Sequence, residues 1–285
     1  MSFSNIIELD IWSNFGCFSK PFSSTGGILS YLIPPKTSII GMIGAILGYE
    51  FDDYSFENKN YKIECLNDIK LSVCPLFDLK TKRVTFNQVS GTTENLEILN
   101  VHQDVLINPK YKLFISFPDN LEDQESLFLE RIKNNETIFN LYMGKNEFPL
   151  NLEFVREISF NSEIFDSNSP NLKDIRVFGS LNKKDIINVT LSYKNDEDTF
   201  EEFGLEGIIF EQDDDEDIRN LKSFYEYIIK DYPIKRENFT DFLFSPISFY
   251  STDDFEKVFF SNIVLKEGCY LELVNIGDDK WLSLI

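Results

Sequence analysis

Apolar and polar residues alternate loosely along 5–12, NIIELDIW, which predicts a strand. A loop rich in Ser, Gly and Pro follows over 13–27. The pattern then changes. After Pro34 and Pro35, the run from Ser38 to Tyr49 is apolar on every side, with Gly41, Gly44 and Gly48 set into it. Proline suits the first turn of a helix, so a helix is predicted over 37–48 with Thr37 or Ser38 as its N-cap. A helix that is apolar all round is a buried one. Its glycines share one face, which would admit another backbone or, at the helix mouth beside Lys36, an anionic ligand. The chain has no GxxxxGK[ST] pattern, so this mouth is not a nucleotide P-loop.

A strand is predicted within 68–79, and then two polar strands over 81–108 around a flexible tip at Ser90–Glu94. With so little apolar alternation, that hairpin should project from the body. KYKLFISF (110–117) reads as a strand with Tyr111, Leu113, Ile115 and Phe117 on one face. Asp119 would cap a helix over 121–134 whose inner face holds Leu121, Phe128 and Ile132, and TIFNLYMG (137–144) reads as the next strand. This order predicts an α+β fold: a ferredoxin-like, RRM-like β-α-β-β-α-β core with a projecting hairpin. The second half shows short strands near 153–160, 186–193 and 258–265 and a helix over 217–230. A boundary near 150 would separate residues 1–150 from a smaller, β-rich acidic part, 151–285.

Composition narrows the function. The net charge of −21 argues against nucleic acid by itself, but the acid is unevenly placed. Residues 151–285 hold 14 Lys/Arg against 29 Asp/Glu, or −15, whereas segment 80–112 holds 5 against 3, or +2. The densest acid, NDEDTFEEFGLEGIIFEQDDDED (195–217), reads as a solvated surface and lacks a calcium-loop pattern. Four cysteines without a CxxC pair, and one histidine, argue against a metal site and for a reducing cytoplasm. The apolar run of twelve residues is too short for the roughly 20 that cross a membrane. No cofactor motif is present.

The stretch LDIWSNFGCFSKPFSSTGGILSYLIPPKTSIIGMIGAILGY (9–49) resembles the N-terminal signature of the CRISPR-associated Cas family 5 proteins, the type I-B branch in particular. Its elements are Trp12, Phe15-Gly16, Phe18 with Lys20-Pro21, a Ser/Thr loop, Tyr31, Pro34-Pro35, Lys36-Thr37, and Gly41 to Gly48. QDVLINPKYKLFISF (103–117) and YMGKNEF (142–148) agree more loosely. The resemblance implies a cytoplasmic subunit of a type I interference complex, Cascade. Such a subunit holds the 5′ handle of the crRNA and meets the large subunit and the backbone subunits. Hairpin 81–108 would be the family's thumb. RNA would be held by Lys82, Arg83, Gln88 and His102 on the thumb, by Lys20, Ser23, Thr25, Tyr31, Lys36 and Thr37 at the loop and helix mouth, and by Lys145 in the Gly-Lys turn.

Metal-free RNA cleavage needs a general base, usually His, and a cation for the phosphorane. His102 is the only histidine, and its neighbours are Val101 and Gln103. The Lys-His pair of the family's cleaving branch is therefore absent, and the chain reads as non-catalytic. The alternatives are an endoribonuclease using His102 with Lys82, Arg83 or Tyr31, and an acidic protein-only adaptor.

Overall fold

The computed structural model describes residues 5–23, 27–49, 62–76, 79–92, 95–167, 169, 173–194, 200–203, 224–236, 241–252, 258–277 and 280–285. The chain begins with β1 (Ile6–Trp12), three two-residue strands, β2 (Phe15–Gly16), β3 (Phe18–Ser19) and β4 (Ser30–Tyr31), and helix α1 (Lys36–Leu47). There follow β5 (Lys70–Pro75), the long pair β6 (Lys80–Thr92) and β7 (Asn95–Ile107), β8 (Lys110–Ser116), helix α2 (Glu122–Lys133) and β9 (Asn151–Ile158). Strands β5, β8, β1 and β9 form one sheet in that order, every neighbour antiparallel. Strand side chains alternate between faces. Ile7, Leu9 and Ile11, with Tyr111, Leu113 and Ile115, therefore share a face and join Ile39, Ile43 and Ile46 of α1 and Phe128 and Ile132 of α2 in one core.

Helix α1 buries Ile39, Ile40, Met42, Ile43, Ile46 and Leu47. At about 1.5–3 kcal/mol each, these outweigh the loss of about 1 kcal/mol per internal glycine. The glycines differ from expectation. A Cβ on Gly41 would meet nothing within 4 Å, and one on Gly44 would meet the Ile63 side chain at 2.5 Å, so neither is covered by backbone. Gly48 is the left-handed C-cap, φ 74°, and its N–H donates to Gly44 O. Neither Thr37 nor Ser38 caps the helix. It starts at Lys36 behind Pro35, without a side-chain cap. Asp119 lies in a 3-10 turn (Asp119–Leu121) ahead of α2, whose N-cap is Leu121.

The strand expected over 137–144 does not form. Asn135 and Gly144 hold positive φ (56° and 85°), and the segment between them is irregular, with one bridge from Tyr142 to Pro149. β9 takes the fourth place instead, because Leu152 and Phe154 pack on the helical core while Arg156 serves the reverse face. On that face Lys112 Nζ donates to Glu8 Oε1 (2.6 Å) and Asp10 Oδ1 (2.8 Å), and Arg156 Nε donates to Glu8 Oε2 (2.7 Å). Burial pushes the Glu8 carboxyl up. Hydrogen bonds and charge from Lys112 and Arg156 outweigh that and hold it below its ordinary 4.5.

The second half adds β10 (Asn161–Asp166), β11 (Lys173–Asn182), β12 (Ile186–Lys194), β13 (Phe200–Phe203), β14 (Phe224–Arg236), β15 (Phe242–Thr252), β16 (Val258–Leu265), β17 (Tyr270–Asn275) and β18 (Lys280–Leu282). They form a nine-stranded sheet, with β14 and β15 as a long antiparallel hairpin beside β11. Of the helix expected over 217–230, residues 224–230 belong to strand β14, and 217–223 lie outside the described residues. Pro233 fits β14 because this strand pairs with β15 alone and so leaves one edge open, with register shifts on either side of the proline. The two sheets meet where Ser72 and Ser180 hydroxyls lie 2.8 Å apart, and Ile6, Cys74 and Phe114 pack on Val274 and Leu282. Gly179 (φ 69°) allows this approach, since a Cβ there would stand 2.7 Å from Ser72 Oγ. Among the described residues the fold is thus mixed and sheet-rich with two α-helices. The acidic run lies outside them except for β13.

Candidate nucleic-acid interface

β6 and β7 pair without a shift from Lys80↔Ile107 to Thr92↔Asn95. Ser90–Thr92, expected in a flexible tip, are strand, and residues 93–94 lie outside the described residues. The root of the hairpin is buried at Val105 and Leu106. Beyond the root, Phe86 is 42%, Leu99 53% and Ile98 74% exposed. On both strands these described side chains of the hairpin are thus open to solvent.

Register divides the predicted contacts between two faces. Directly opposed residues share a face in an antiparallel pair. Arg83 stands against Asp104 and Thr85 against His102, and both pairs bond: Arg83 Nε donates to Asp104 Oδ1 (2.9 Å), and Thr85 Oγ1 lies 3.0 Å from His102 Nδ1. Lys82, opposite Val105, is exposed on the other face, the face of Gln103. Gln103 is itself only 5% exposed, and its Oε1 accepts from Lys145 Nζ at 2.8 Å. Position 88 pairs with Leu99.

The loop after β3 is fastened to the same hairpin. Ile28 N–H donates to His102 O (2.7 Å), and Asp104 N–H donates to Ile28 O (2.9 Å), which adds a third line of backbone to the edge of β7. Ser23 acts inside the loop: its hydroxyl donates to Lys20 O and accepts from Leu29 N–H. Thr25 lies outside the described residues. Phe22 is 59% exposed at the loop's outer side. The Gly-Lys turn docks beside it. Met143 O accepts from Cys17 N–H, and Gly144 lies so close that a Cβ would stand 2.2 Å from Cys17 O.

Two expected contacts move to the interior. Tyr31 is 1% exposed, and its hydroxyl donates to Asp231 O at 2.8 Å. Burial, with the nearby Asp231 charge, raises its phenol pKa far above the ordinary range. Lys36 is 7% exposed, and its Nζ donates to Ile285 O at 3.1 Å. Burial lowers its pKa to about 8; Asp68 opposes this and Lys70 and Lys235 add to it. Both side chains are thus buried, with interior partners rather than a solvent-facing position. Lys20 is half-engaged: its Nζ is 4.9 Å from the Tyr31 ring centroid and 3.9 Å from Asp231 Oδ2. Thr37 is half-buried in the first turn of α1. The structure thus brings together Lys20, Ser23, His102, Arg83, Lys82 and Lys145 around β7, and leaves out Tyr31 and Lys36. Gln103 and Asp104 were missed, although the alternation in NVHQDVLI already sets them on opposite faces.

Among the described residues no cluster of His, Cys, Asp and Glu could hold a metal. No helix among them is long and apolar enough to cross a membrane. The model of a family described as CRISPR-associated protein (Cas_Cas5) matches residues 6–157. No curated protein matches the chain. Of the solved structures, a chain described as a CRISPR RNA-guided surveillance complex is 10% identical over 93% of this chain and 95% of its own, with a TM-score of 0.44. A CRISPR protein from Archaeoglobus fulgidus is 9% identical over 99% and 98%, at 0.35. A functionally uncharacterized protein from Streptococcus mutans is 12% identical over 71% and 87%, at 0.31. Those likenesses are too distant to carry weight. The family match covers the first sheet, both helices and the whole β6–β7 hairpin, more than half of the chain, and this protein belongs to the CRISPR-associated Cas_Cas5 family.

Proposed function

We propose that this protein is a non-catalytic, cytoplasmic subunit of a type I CRISPR interference complex, of the I-B kind. It would hold the 5′ handle of the crRNA and link the large subunit to the backbone subunits. The observation that carries this reading is the joining of loop and hairpin: Ile28 bonded between His102 and Asp104 makes the loop and thumb one surface. The joined loop and hairpin carry Lys20, Lys82, Arg83 and Lys145 over both hairpin faces, in a chain of net charge −21. Exposed Phe22 and Phe86 supply flat faces for unpaired bases. The sheet order β9-β1-β8-β5 with its two crossing helices is read as the ferredoxin-like unit that RNA-recognition modules share, which adds a prior and no more. A thumb with cations on both faces suits a strand threaded past it. The acidic body would discourage non-specific binding.

The cleaving alternative lacks an assembled pair. On the His102 face the adjacent cation is Arg83, which Asp104 engages; Lys82 lies on the other face, and Tyr31 is buried. The test is handle protection against nuclease in the assembled complex across a salt series. Each lost phosphate contact flattens the salt slope for single strands by about 0.7, so Lys82→Ala and Arg83→Ala should each do so. If both variants and their combination assemble and protect the handle like wild type, the protein-only adaptor is the better reading.

A further inference from the structure

We propose that one nucleotide of the handle is held on the Gln103 face of the β6–β7 hairpin, with its phosphate between Lys82 and Lys145 and its base on the Phe86 ring. This rests on the reading of the hairpin as the RNA-holding thumb and narrows it to one of the two faces. Register fixes which residues share that face. Val84 stands opposite Gln103, so Lys82 and Phe86, two residues to either side of Val84, are the diagonal neighbours of Gln103. Such neighbours stand about 7–8 Å apart, within reach of long and aromatic side chains. Gln103 in turn holds Lys145, whose Nζ donates to its Oε1 at 2.8 Å. Two cations, an amide and a ring thus converge from two parts of the chain. The turn that brings in Lys145 is itself fixed, because Met143 O accepts from Cys17 N–H and Gly144 packs on Cys17.

Charge and polarity select this face over the reverse one. From Lys82 to Phe86, and from Leu99 to Val105, its positions carry no acid. On the reverse face the cation is already engaged: Arg83 Nε donates to Asp104 Oδ1 at 2.9 Å, with Thr85 and His102 bonded to each other beyond. The bond from Lys145 to Gln103 is to a neutral amide, and an ammonium has three donors, so donors remain for an anion. Gln103 is buried at the foot of the face, and Phe86 stands open farther out, so the polar contacts lie nearest the body and the ring beyond them. The outer edge of β6 is unpaired, whereas β2 and Ile28 line the other edge of β7. The RNA backbone would cross at β6, where Arg83 reaches a neighbouring phosphate from behind. A phosphate joined to a flat base matches both the cations and the ring. An apolar protein segment would match the ring and leave the cations facing it unpaired.

The test uses the assembled complex with its guide RNA. The photo-crosslinker p-benzoylphenylalanine replaces Phe86 or Leu99 on the Gln103 face and, in separate complexes, Asn87 or Asn100 on the reverse face; all four positions are exposed. Crosslinks to RNA are expected from the first pair and not from the second. Phe86→Leu keeps an apolar side chain without a flat ring and should weaken handle retention by about 5- to 150-fold, whereas Phe86→Tyr should keep it. Lys145→Met should flatten the salt slope of retention by about 0.7. RNA crosslinks from the reverse pair alone, or from both pairs alike, overturn the inference and leave the thumb reading standing, as does wild-type retention by Phe86→Leu. RNA crosslinks from neither pair, with the handle still protected, overturn both. A protein subunit captured from Phe86 or Leu99 positions in place of RNA overturns the inference in favour of a protein-docking face. Wild-type complexes with 4-thiouridine at each handle position, their crosslinks mapped to single residues, give the same reading if a substituted protein fails to fold.

Discussion

Alanine at Gly144 should destabilise the protein and detach the Gly-Lys turn from the candidate site. Gly144 holds φ 85°, and a Cβ there would stand 2.2 Å from Cys17 O, 2.7 Å from Cys17 C and 2.9 Å from Phe18 Cδ1. Cys17 and its neighbours cannot retreat. Phe15 and Gly16 pair with Ile107 and Leu106, and Phe18 N–H donates to Ser30 Oγ. The turn must move, which breaks the bond from Cys17 N–H to Met143 O (3.0 Å) at a residue with no exposed surface. A left-handed non-glycine residue costs about 1–2 kcal/mol, and a buried donor left unpaired costs about 1–3 kcal/mol. The restricted unfolded chain returns about 0.4–1 kcal/mol. The net loss is about 2–4 kcal/mol, or a fall in Tm of roughly 4–8 °C for a chain of this size.

Gly41 supplies the opposite case on the same substitution. It is exposed, in helical geometry, with open space where a Cβ would go. Gly41→Ala should therefore gain about 0.5–1 kcal/mol from helix propensity alone. Thermal unfolding by circular dichroism compares the two variants, and hydrogen exchange at the Cys17 amide reports the detached turn. A Gly144→Ala protein that melts with wild type and still protects that amide would refute the reasoning.

Gly44→Val must displace Ile63 and should lose about 1–3 kcal/mol in urea unfolding; unchanged stability would mean that Ile63 has room to leave. Glu8 is held below its ordinary pKa, so the native state binds fewer protons than the unfolded one in acid. Its contribution is full above pH 4.5 and is lost as pH falls through the native value, so Glu8→Gln should be less stable at neutral pH and show a flatter stability profile below pH 4.5. Incubation with precursor RNA of its own repeat, without metal, should give no specific cut; a cut that His102→Ala abolishes would install the endoribonuclease reading. Deleting 204–217 should leave handle binding unchanged or slightly tighter at low salt, because five consecutive acids at Asp213–Asp217 repel phosphate; a large loss of RNA by a folded deletion would contradict this.

What was legible in the sequence was what local period decides. The alternation in Tyr111, Leu113 and Ile115, and the 3.6-residue spacing of Phe128 and Ile132, placed β8 and α2 to within a residue or two. Periodicity failed where one run fits two periods. FYEYIIK packs Ile229 inward as a strand residue, yet its apolar positions also fit a helix face. In 137–144 β-prone residues masked an irregular segment bounded by two positive-φ residues, Asn135 and Gly144. For the site, the cations were legible, and alternation already sets Lys82 and Arg83 on opposite faces; their cross-strand partners were not, because only the β6–β7 register places Arg83 against Asp104 and Lys82 against Val105. Tyr31 and Lys36 find their partners 200 and 249 residues away, beyond any local pattern.

Their burial also explains what the Tyr-Pro-Pro-Lys stretch does in this fold. Pro34 and Pro35 have no N–H to give, so the ladder that pairs Tyr31 with Phe18 does not continue through them. Three tyrosine hydroxyls hold segment 31–35 instead: Tyr31 donates to Asp231 O, Tyr111 to Leu32 O and Tyr232 to Pro34 O. Tyr31 and Tyr111 are 1% and 0% exposed, so each bond forms away from competing water and leaving any one unmade would cost about 1–3 kcal/mol. Lys36 then opens α1 with its charge turned inward to the Ile285 carbonyl. Residues with the chemistry of RNA ligands are thus spent on holding the loop at a fixed height between β7 and β14. A fixed loop is what lets Ile28 bond along the edge of β7. On this argument Tyr31→Phe should leave the RNA-facing atoms in place and still weaken handle binding, by loosening the loop. Hydrogen exchange at the Ile28 and Asp104 amides would show that loosening directly, and unchanged protection there would mean that the loop is held without its tyrosines.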